Sequence, residues 1–379
     1  MRIINGKLPT MEGQCFEKGY VDFENGVITA FGDASGAPEA LGEVLDAQGG
    51  YILPGFIDAH THIGIAEESV RDEGEDCNEI TDPITPQLRA IDGIYPCEDA
   101  FRRAVEAGVT SAVVGPGSAN VIGGQMAFIK LTGDRIDDMI VKAPCAMKMA
   151  LGENPKRCYG LAKKTPQTRM ASAFLMRDAL AKAGRYMQKK ERDPDGTAYD
   201  AKCEALIPVL KRELVAHIHC HRSDDILTAI RVVNEFNIRY NIIHTTDGIA
   251  CAQYIRETGV IPVVGPILSA SSKPETAHKA YATAGVLEKA GIEVALTTDH
   301  PVGPLELLPV SAALCVREGL SIEGALRGVT INAAKVGCVD DRVGSIKVGK
   351  DADIVVFGGH PFEYLTKTQA VFVGGKRVK

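Results

Sequence analysis

Apolar, strand-like runs alternate with helical patterns through the middle of this 379-residue chain. Such alternation is typical of parallel β/α units, in which each strand is followed by a helix that packs on the sheet. Eight runs of this kind predict a (β/α)8 TIM barrel, a fold that takes roughly 250 residues. The predicted strands lie at residues 52–57, 110–114, 127–130, 146–151, 215–219, 241–244, 261–264 and 293–298.

Both ends of the chain contain short strand patterns instead. Near the start, two such runs flank Asn25-Gly26, a dipeptide that favours a tight β-hairpin. The last residues repeat the pattern, with apolar runs separated by glycine pairs. We therefore expect residues 1–53 and 343–379 to form a small composite β-sandwich domain, and residues 54–342 to form the barrel domain.

Charge and cysteine content narrow the class of protein. The chain has 49 acidic and 42 basic residues, so no basic surface for nucleic acid is expected. The segment MRIING lacks the apolar core of a signal peptide, and no apolar run has the length of a membrane span. Ten cysteines without a C-x-x-C pair favour free thiols in a reducing compartment. We expect a cytoplasmic enzyme with a small-molecule substrate and no membrane partner, and leave open a homo-oligomer.

The strand predicted at residues 52–57 leads directly to His60-Thr61-His62. Side chains of a strand alternate with period two, so His60 and His62 face the same way and can bind one ion. Imidazole nitrogen suits Zn²⁺, and a catalytic zinc site adds a third protein ligand while keeping a position for water. Two histidines at this spacing could instead be partly buried residues that hydrogen-bond to the backbone. Further ligands are therefore needed to assign a metal site.

Further ligand types lie where other apolar runs end, at the edge where barrel enzymes place catalytic groups. His244 ends one predicted strand and Asp299 another, and a carboxylate there can bind a metal and accept a proton from its water. The alternative, Asp299 as a helix N-cap, is weakened by the prolines that follow it. His217, His219 and His221 span more than about 12 Å along a strand, so all three cannot bind one ion.

Several short strings along the chain form a recognisable set. LPGFIDAHTH stands at residues 53–62, HCHR at 219–222, TDHPV at 298–302, GENP at 152–155, NAA at 332–334 and GSIKVGKDADIVV at 344–356. Together they resemble the amidohydrolase superfamily, metal-dependent hydrolases built on a TIM barrel. The strings HCHR, TDHPV and GENP are closest to its imidazolonepropionase-related branch, and the resemblance covers nearly the whole chain.

The resemblance implies a centre of one or two metal ions, expected to be zinc or another divalent transition metal. His60, His62 and His219 would bind the metal, and Asp299 would bind it and accept the proton of the attacking water. His244 resembles the sixth-strand histidine of the family. That residue binds a second metal in two-metal members and contacts water or substrate in the others, so His244 is both a catalytic and a metal-binding candidate.

The role of Lys148, in the fourth predicted strand, decides whether the centre holds one metal ion or two. Some relatives have a lysine here that is carboxylated and bridges two metals, and Glu153 could supply a carboxylate instead. A lysine in an apolar strand is costly without a partner, which favours a functional role. The alternative is an ion pair between Lys148 and a nearby acid, so the sequence leaves the metal count open.

His221, Arg222 and Glu153 are expected to contact the substrate. Arg222 follows the histidine run and can bind a carboxylate through two hydrogen bonds, as guanidinium geometry favours. His217 is expected to be a core residue. The loop 265–278, after the seventh strand, is a candidate cover over the site.

We predict a metal-dependent amidohydrolase that cleaves a non-peptide C–N bond, such as that of a cyclic amide, by attack of metal-bound hydroxide. A dipeptidase or prolidase-like hydrolase, or an aminohydrolase (deaminase) that releases ammonia, is the alternative among enzymes. The alternative outside enzymes is a catalytically silent scaffold protein with this fold. The prediction depends on the ligand set, because the fold alone does not determine function.

Overall fold

The computed structural model describes residues 1–40, 42–68 and 70–379, and this part of the chain forms two eight-stranded sheets. The strands of the sheet from the chain ends are β1 (Arg2–Pro9), β2 (Cys15–Glu24), β3 (Val27–Asp33), β4 (Val44–Asp46), β5 (Tyr51–Pro54), β14 (Ile354–Phe357), β15 (Thr368–Val373) and β16 (Lys376–Arg377). The strands of the central sheet are β6 (Phe56–Thr61), β7 (Val109–Val114), β8 (Ile122–Lys130), β9 (Ile140–Ala150), β10 (Val215–Cys220), β11 (Tyr240–His244), β12 (Val263–Val264) and β13 (Ala295–Leu296).

The central sheet is a nearly closed barrel, as predicted, with its strands in chain order from β6 to β13. The ends of β6 and β13 meet through the backbone. The N–H of His62 donates to the carbonyl of His300 at 2.8 Å, and the Thr297 hydroxyl donates to the carbonyl of His60. Residues that follow the first and eighth strands of the barrel therefore lie side by side.

β8 departs from the predicted pattern of parallel β/α units, because it runs antiparallel to both β7 and β9. Residues 115–121 alone join β7 to β8, whereas a parallel pair needs a crossover of about a dozen residues or more. The prediction of a uniform (β/α)8 repeat is wrong at this strand. The other neighbouring strands of the barrel pair in parallel.

The strand predicted at residues 52–57 is two strands. β5 pairs with β14 in the sheet of the chain ends, and β6 pairs with β7 in the barrel. The chain changes partner at Gly55, whose N–H donates to the carbonyl of Asp353 at 2.9 Å. A Cβ at this position would lie 2.1 Å from the Thr110 hydroxyl, so the close approach requires glycine.

Helices follow most barrel strands and cover the outside of the barrel. None in the described residues is long and apolar enough to cross a membrane. The helices are α1 (Asp99–Glu106), α2 (Ile136–Met139), α3 (Glu153–Leu161), α4 (Arg169–Arg192), α5 (Ala201–Leu210), α6 (Ser223–Phe236), α7 (Gly248–Thr258), α8 (Thr283–Lys289), α9 (Leu308–Arg317), α10 (Ile322–Gly328) and α11 (Ile331–Val336).

Both ends of the chain contribute to the second sheet, in the order β16-β15-β14-β5-β1-β2-β3, with β4 paired in parallel to β1. β2 and β3 form the hairpin predicted at Asn25-Gly26. Both turn residues have positive φ, 51° and 83°, as the tight hairpin turn with an Asn-Gly pair requires. This confirms the short-range prediction for the first segment of the chain.

Apolar side chains fill the barrel below its mouth. Ile57, Val113, Phe128 and Ile243 belong to one buried cluster, and Ala333 of α11 belongs to the same cluster. Inward-facing polar side chains are concentrated above this cluster, towards the C-terminal ends of the strands. In barrel enzymes this is the end that holds the active site.

Candidate metal centre

The mouth of the barrel gathers titratable side chains from several strands, and all of them are buried. They are His60 and His62 at the end of β6, Lys148 in β9, His219 and His221 at the end of β10, His244 at the end of β11, and Asp299 after β13.

His60, His62 and Asp299 form the first group, and their possible ligand atoms all lie within 4.8 Å of one another. Oδ1 of Asp299 lies 3.4 Å from Nε2 of His62 and 3.7 Å from Nε2 of His60. Among the described residues, that buried oxygen has no hydrogen-bond partner. A carboxylate oxygen that faces two imidazole nitrogens fits a divalent transition metal.

His219, His221 and His244 form the second group, again with ligand atoms within 4.8 Å. The ring centroids of His219 and His244 are 4.5 Å apart, and the rings of His221 and His244 stack at 4.6 Å. The sequence assigned His219 to the ion of His60. The structure places a ligand atom of His219 near those of His244 and of His221, the expected substrate contact, and the ion that His219 binds stays a prediction.

Lys148 adjoins the first group and acts on the second through its charge. Its Nζ lies 2.9 Å from Nε2 of His60, and its charge also acts on His219 and His244. The side chain is fully buried, and burial lowers the pKa of Lys148 to about 8. Part of the Lys148 population is therefore a neutral amine near neutral pH, and this form is available for covalent modification.

Two of the histidines are oriented by backbone carbonyls. Nδ1 of His62 lies 2.7 Å from the carbonyl oxygen of Gly115, and Nδ1 of His244 lies 2.9 Å from that of Gly265. A carbonyl only accepts hydrogen bonds, so each Nδ1 donates, and in the neutral form of each ring Nε2 keeps a free lone pair. Metal-binding histidines almost always have such a partner at the second nitrogen.

The backbone at Asp299 and His244 is in the left-handed region, with φ of 57° and 77°. This conformation is strained for residues other than glycine and persists only where other bonds hold it. The N–H of Asp299 donates to the Thr297 hydroxyl at 2.9 Å, and that hydroxyl donates to the carbonyl of His60. The two halves of the first group are thus linked through their backbones.

Residues 51–378 match the profile of the Amidohydrolase family. The chain belongs to this family. It is 41% identical to a solved amidohydrolase from Thermotoga maritima, with a TM-score of 0.95 over 100% of this chain and 99% of that one. It is also 28% identical to amidohydrolase TasK of Hapsidospora irregularis. That match covers 94% of this chain but only 39% of the length of TasK. The imidazolonepropionase of Treponema denticola is 24% identical over 93% of this chain and 89% of its own length. The predicted relation to the imidazolonepropionase branch is confirmed, and the protein is a hydrolase of this family.

Burial keeps most imidazoles of this amidohydrolase neutral. It lowers the pKa values of His60, His219 and His244 well below the ordinary range of histidine, and that of His221 to about 4. Neutral imidazole is the form that binds a metal ion. The protonation state of these side chains therefore agrees with the donor set that a metal requires.

Asp299 and His62 stabilise each other's charge. Burial opposes ionisation of Asp299, yet His244, His62 and Lys148 outweigh it and hold the pKa of Asp299 below its usual range. Burial also opposes protonation of His62, yet Cys77 and Asp299 raise its pKa. Asp299 is thus ionised at neutral pH, in the form that binds a cation and accepts a proton.

Glu275 is a site residue that the sequence did not reveal. It lies in the short turn Pro274–Thr276 after β12, and 1% of its surface is exposed. Its Oε1 lies 3.8 Å from Nε2 of both His219 and His221. The sequence indicated the loop 265–278 but not this residue, because one acid in a polar segment carries no sign of burial. Its place after a barrel strand was the available signal.

Arg222 and Glu153, two predicted substrate contacts, lie beside the histidines. Arg222 is exposed and pairs with Asp224 at 2.9 Å. Glu153 begins α3, and its N–H donates to Oε2 of Glu275 at 2.8 Å. Arg222, Glu153 and Glu275 line one cavity of about 320 Å³. Through Glu275, this cavity borders the second histidine group.

His217 lies deeper in the barrel, as the sequence predicted, with Nε2 3.1 Å from the carbonyl oxygen of Val336. A different cavity, of about 700 Å³, opens at the N-terminal ends of β10 and β11, where Val215 and Tyr240 line it. Barrel enzymes hold their active sites at the opposite end, so the candidate site is the histidine cluster.

Proposed function

We propose that the protein is a metal-dependent amidohydrolase that hydrolyses a non-peptide C–N bond in a cyclic amide or a related compound. The observation that supports this best is the meeting of two groups of metal-binding side chains around Lys148 at the mouth of the barrel. The imidazolonepropionase relatives are named for a ring compound. That similarity favours a cyclic substrate over a linear peptide.

His60, His62 and Asp299 would hold one ion, and His219 and His244 a second, with Lys148 adjoining both. Nitrogen and carboxylate donors of this kind suit Zn²⁺ or another divalent transition metal. When bound, the metal supplies Lewis acidity towards the scissile carbonyl and the attacking water.

Asp299 moves the proton in this proposal. Its Oδ1 accepts a proton from the attacking water and returns it to the leaving nitrogen. Ionisation at neutral pH and an oxygen without another partner among the described residues support this role. In a one-metal enzyme, His244 would instead contact the water or the substrate through Nε2, because its Nδ1 donates to Gly265.

His221 and Arg222 bind the substrate in this proposal, together with Glu153. Nδ1 of His221 lies 2.7 Å from the hydroxyl oxygen of Thr246, which fixes the orientation of the ring. The guanidinium of Arg222 is exposed at the adjacent cavity, where it can bind a carboxylate of the substrate through two hydrogen bonds.

Lys148 bridges the two groups as a carboxylated lysine. Its neutral Nζ adds to the carbon of carbon dioxide and loses one proton, which places a carboxylate where a buried amine stood. The lowered pKa of Lys148 supports this step, since the neutral amine is the nucleophile. Glu153 remains the rival source of a carboxylate, from its position at the start of α3.

We also propose that residues 1–53 and 343–379 form one β-sandwich domain and residues 54–342 the barrel domain. Phe23 of β2 and Phe372 of β15 lie on strands four positions apart in the sheet order, yet their ring centroids are 5.2 Å apart. Contact between strands so far apart requires the sheet to fold over on itself, as in a sandwich.

A substrate panel tests the proposed function. Cyclic ureas, lactams, dipeptides and nucleobases are assayed with protein loaded with zinc or manganese. Ring opening of a cyclic amide or urea is the expected result. Ammonia from a nucleobase would identify a deaminase instead, and free amino acids a dipeptidase. No turnover of any class by fully loaded protein would support the silent scaffold.

A further inference from the structure

Glu275 is a buried carboxylate with one oxygen bonded and the other free. Oε2 accepts a hydrogen bond from the backbone N–H of Glu153. Oε1 has no hydrogen-bond partner in the described ranges of the chain, although the residue is almost completely buried. A buried acceptor without a donor is costly, so such an atom in a folded protein calls for an explanation.

Three side-chain nitrogens of the described residues lie near Oε1 but do not satisfy it. Nε2 of His219, Nε2 of His221 and Nζ of Lys273 each lie 3.8 Å away, beyond hydrogen-bonding distance. Lys273 already donates to Oδ1 of Asn154 at 2.8 Å. Oε1 therefore lies near the imidazoles of His219 and His221 without a donor among the described residues.

Capping of α3 explains only half of the Glu275 side chain. The bond from Glu153 satisfies the first N–H of that helix, and a negative charge is favourable at a helix N-terminus. An amide oxygen would accept the same bond, so the cap does not explain a second, ionisable oxygen beside two imidazoles. The backbone also makes room for this carboxylate, since a Cβ on Gly152 would lie 2.8 Å from Oε2.

A ligand can approach Glu275 from the cavity of about 320 Å³ that Arg222 and Glu153 also line. Small-molecule pockets begin at about 300 Å³. Glu275 lines this cavity and also lies near His219 and His221.

We infer that Glu275 determines specificity by accepting, at Oε1, a hydrogen bond from an N–H group of the substrate. This inference rests on the proposed function, because it takes the substrate to be a C–N compound bound at the histidines. A carboxylate accepts hydrogen bonds and repels anions, so an amine, amide or urea N–H is the matching group. A site built to bond a substrate N–H discriminates strongly against analogues that lack it.

The experiment compares Glu275→Gln with the wild-type enzyme on matched substrates. Each pair is a cyclic urea, a lactam or a dipeptide and its N-methylated derivative, which lacks the N–H. Glutamine keeps a carbonyl oxygen for Glu153 but presents an NH₂ group to the site. Values of kcat/KM, Kd by calorimetry and metal content are measured for all proteins, with Glu257→Gln, at an exposed acid of α7, as the control.

The wild type is expected to prefer the N–H member of a pair by at least about 100-fold. Glu275→Gln should remove most of that preference, by lowering kcat/KM for the N–H member while the methylated member changes by less than about threefold. Because each comparison is a ratio within one pair, the intrinsic reactivity of the substrates cancels. Metal content should equal that of the wild type, and Glu257→Gln should retain the preference.

Equal losses on both members of a pair would show that Glu275 is structural, and loss of a metal equivalent would make it a ligand. Either result overturns the inference. If the wild type binds the N–H member selectively but hydrolyses neither member, the proposed function is wrong and the role of Glu275 is retained. If the wild type hydrolyses both members equally well, only the role of Glu275 is wrong. Protein that neither binds nor hydrolyses any member overturns both.

Discussion

Asp58 accepts two hydrogen bonds from Thr298 at the same oxygen, from the N–H at 2.8 Å and from the hydroxyl at 2.6 Å. Its other oxygen accepts the N–H of His60 at 3.1 Å. One fully buried carboxylate therefore connects the first and eighth strands of the barrel, beside His60 on one strand and Asp299 on the other. Burial raises the pKa of Asp58 to about 6, so it is still mostly ionised at pH 7.

Asp58→Ala should weaken metal binding without removing a ligand, because the backbones of His60 and of Thr298, the residue before Asp299, lose the bonds that Asp58 accepts. Loss of a residue that supports a ligand typically costs 10- to 100-fold in metal affinity or activity, and we expect about that loss here. Metal affinity from competition with a chelator is the measurement. Asp195→Ala, at an exposed acid, is the control. An unchanged affinity in Asp58→Ala would show that this link does not support the site.

Asp299→Asn should lower kcat by about 10²- to 10⁴-fold, the usual contribution of a general acid-base group. KM should change less, since the amide fills the same volume. Steady-state kinetics on the substrate that the panel identifies measure both values, with circular dichroism and metal content as controls. Turnover within about threefold of the wild type, in a folded and metal-loaded variant, would remove Asp299 from the proton transfer.

Lys148→Ala should lose one metal equivalent, because the bridging carboxylate is absent. Added acetate or propionate should restore part of the activity by occupying the vacated space. Wild-type protein incubated with ¹³C-bicarbonate should show a carbamate carbon by NMR, and the variant should not. Glu153→Gln tests the rival carboxylate and should keep both ions. Full metal content and activity in Lys148→Ala would show that the lysine is structural.

Removal of metal should abolish activity, and zinc should restore it. Protein purified without chelator is expected to contain one or two transition-metal ions per chain by elemental analysis, since the two histidine groups offer donors for two. Dialysis against a chelator, followed by titration with zinc, gives the stoichiometry of recovery. Less than about a tenth of an equivalent, with no activity regained, would contradict the metal-dependent function.

The stability of metal-free protein should depend on pH through His217. Burial lowers the pKa of His217 to about 4, whereas an unfolded histidine has a pKa of about 6.5. The unfolded state then binds one more proton between these values, so stability is lost as the pH falls through this window. The contribution to the slope is about 1.4 kcal/mol per pH unit. Urea unfolding from pH 7 to 4.5 should show a slope shallower by that amount in His217→Leu than in the wild type.

The exposed His278 supplies the control for this pH experiment, since its side chain is 81% exposed. His278→Gln should keep the wild-type slope, because the substitution lies at the surface and leaves the buried His217 in place. Equal slopes in His217→Leu and the wild type would mean that His217 is protonated in the folded protein.

Strand ends could be predicted from the sequence because an apolar run stops where the chain becomes polar. His244 and Asp299 were located in this way, and both lie at the barrel mouth. The direction of β8 could not be predicted from its own residues, because an apolar run has the same pattern in a parallel and an antiparallel strand. The length of the connection between β7 and β8 held that information.

Contacts between distant segments were the least predictable part of the site. His219 and His221 share a strand face, but their grouping with His244 depends on the pairing of β10 with β11. Glu275 becomes a site residue only because its loop folds back over α3, and no periodicity indicates that. The break at Gly55 depends on the close approach of Thr110, which follows it by 55 residues in the chain.

The single residue between β5 and β6 also makes the two sheets mechanically dependent on each other. β5 is held between β1 and β14, and its last residue stands six positions before His60. A change that loosens β14, near the end of the chain, therefore acts on the register of the strand that presents His60 and His62. Substitutions in the C-terminal strands should accordingly be judged by their effect on catalysis as well as on folding, although those strands lie outside the barrel.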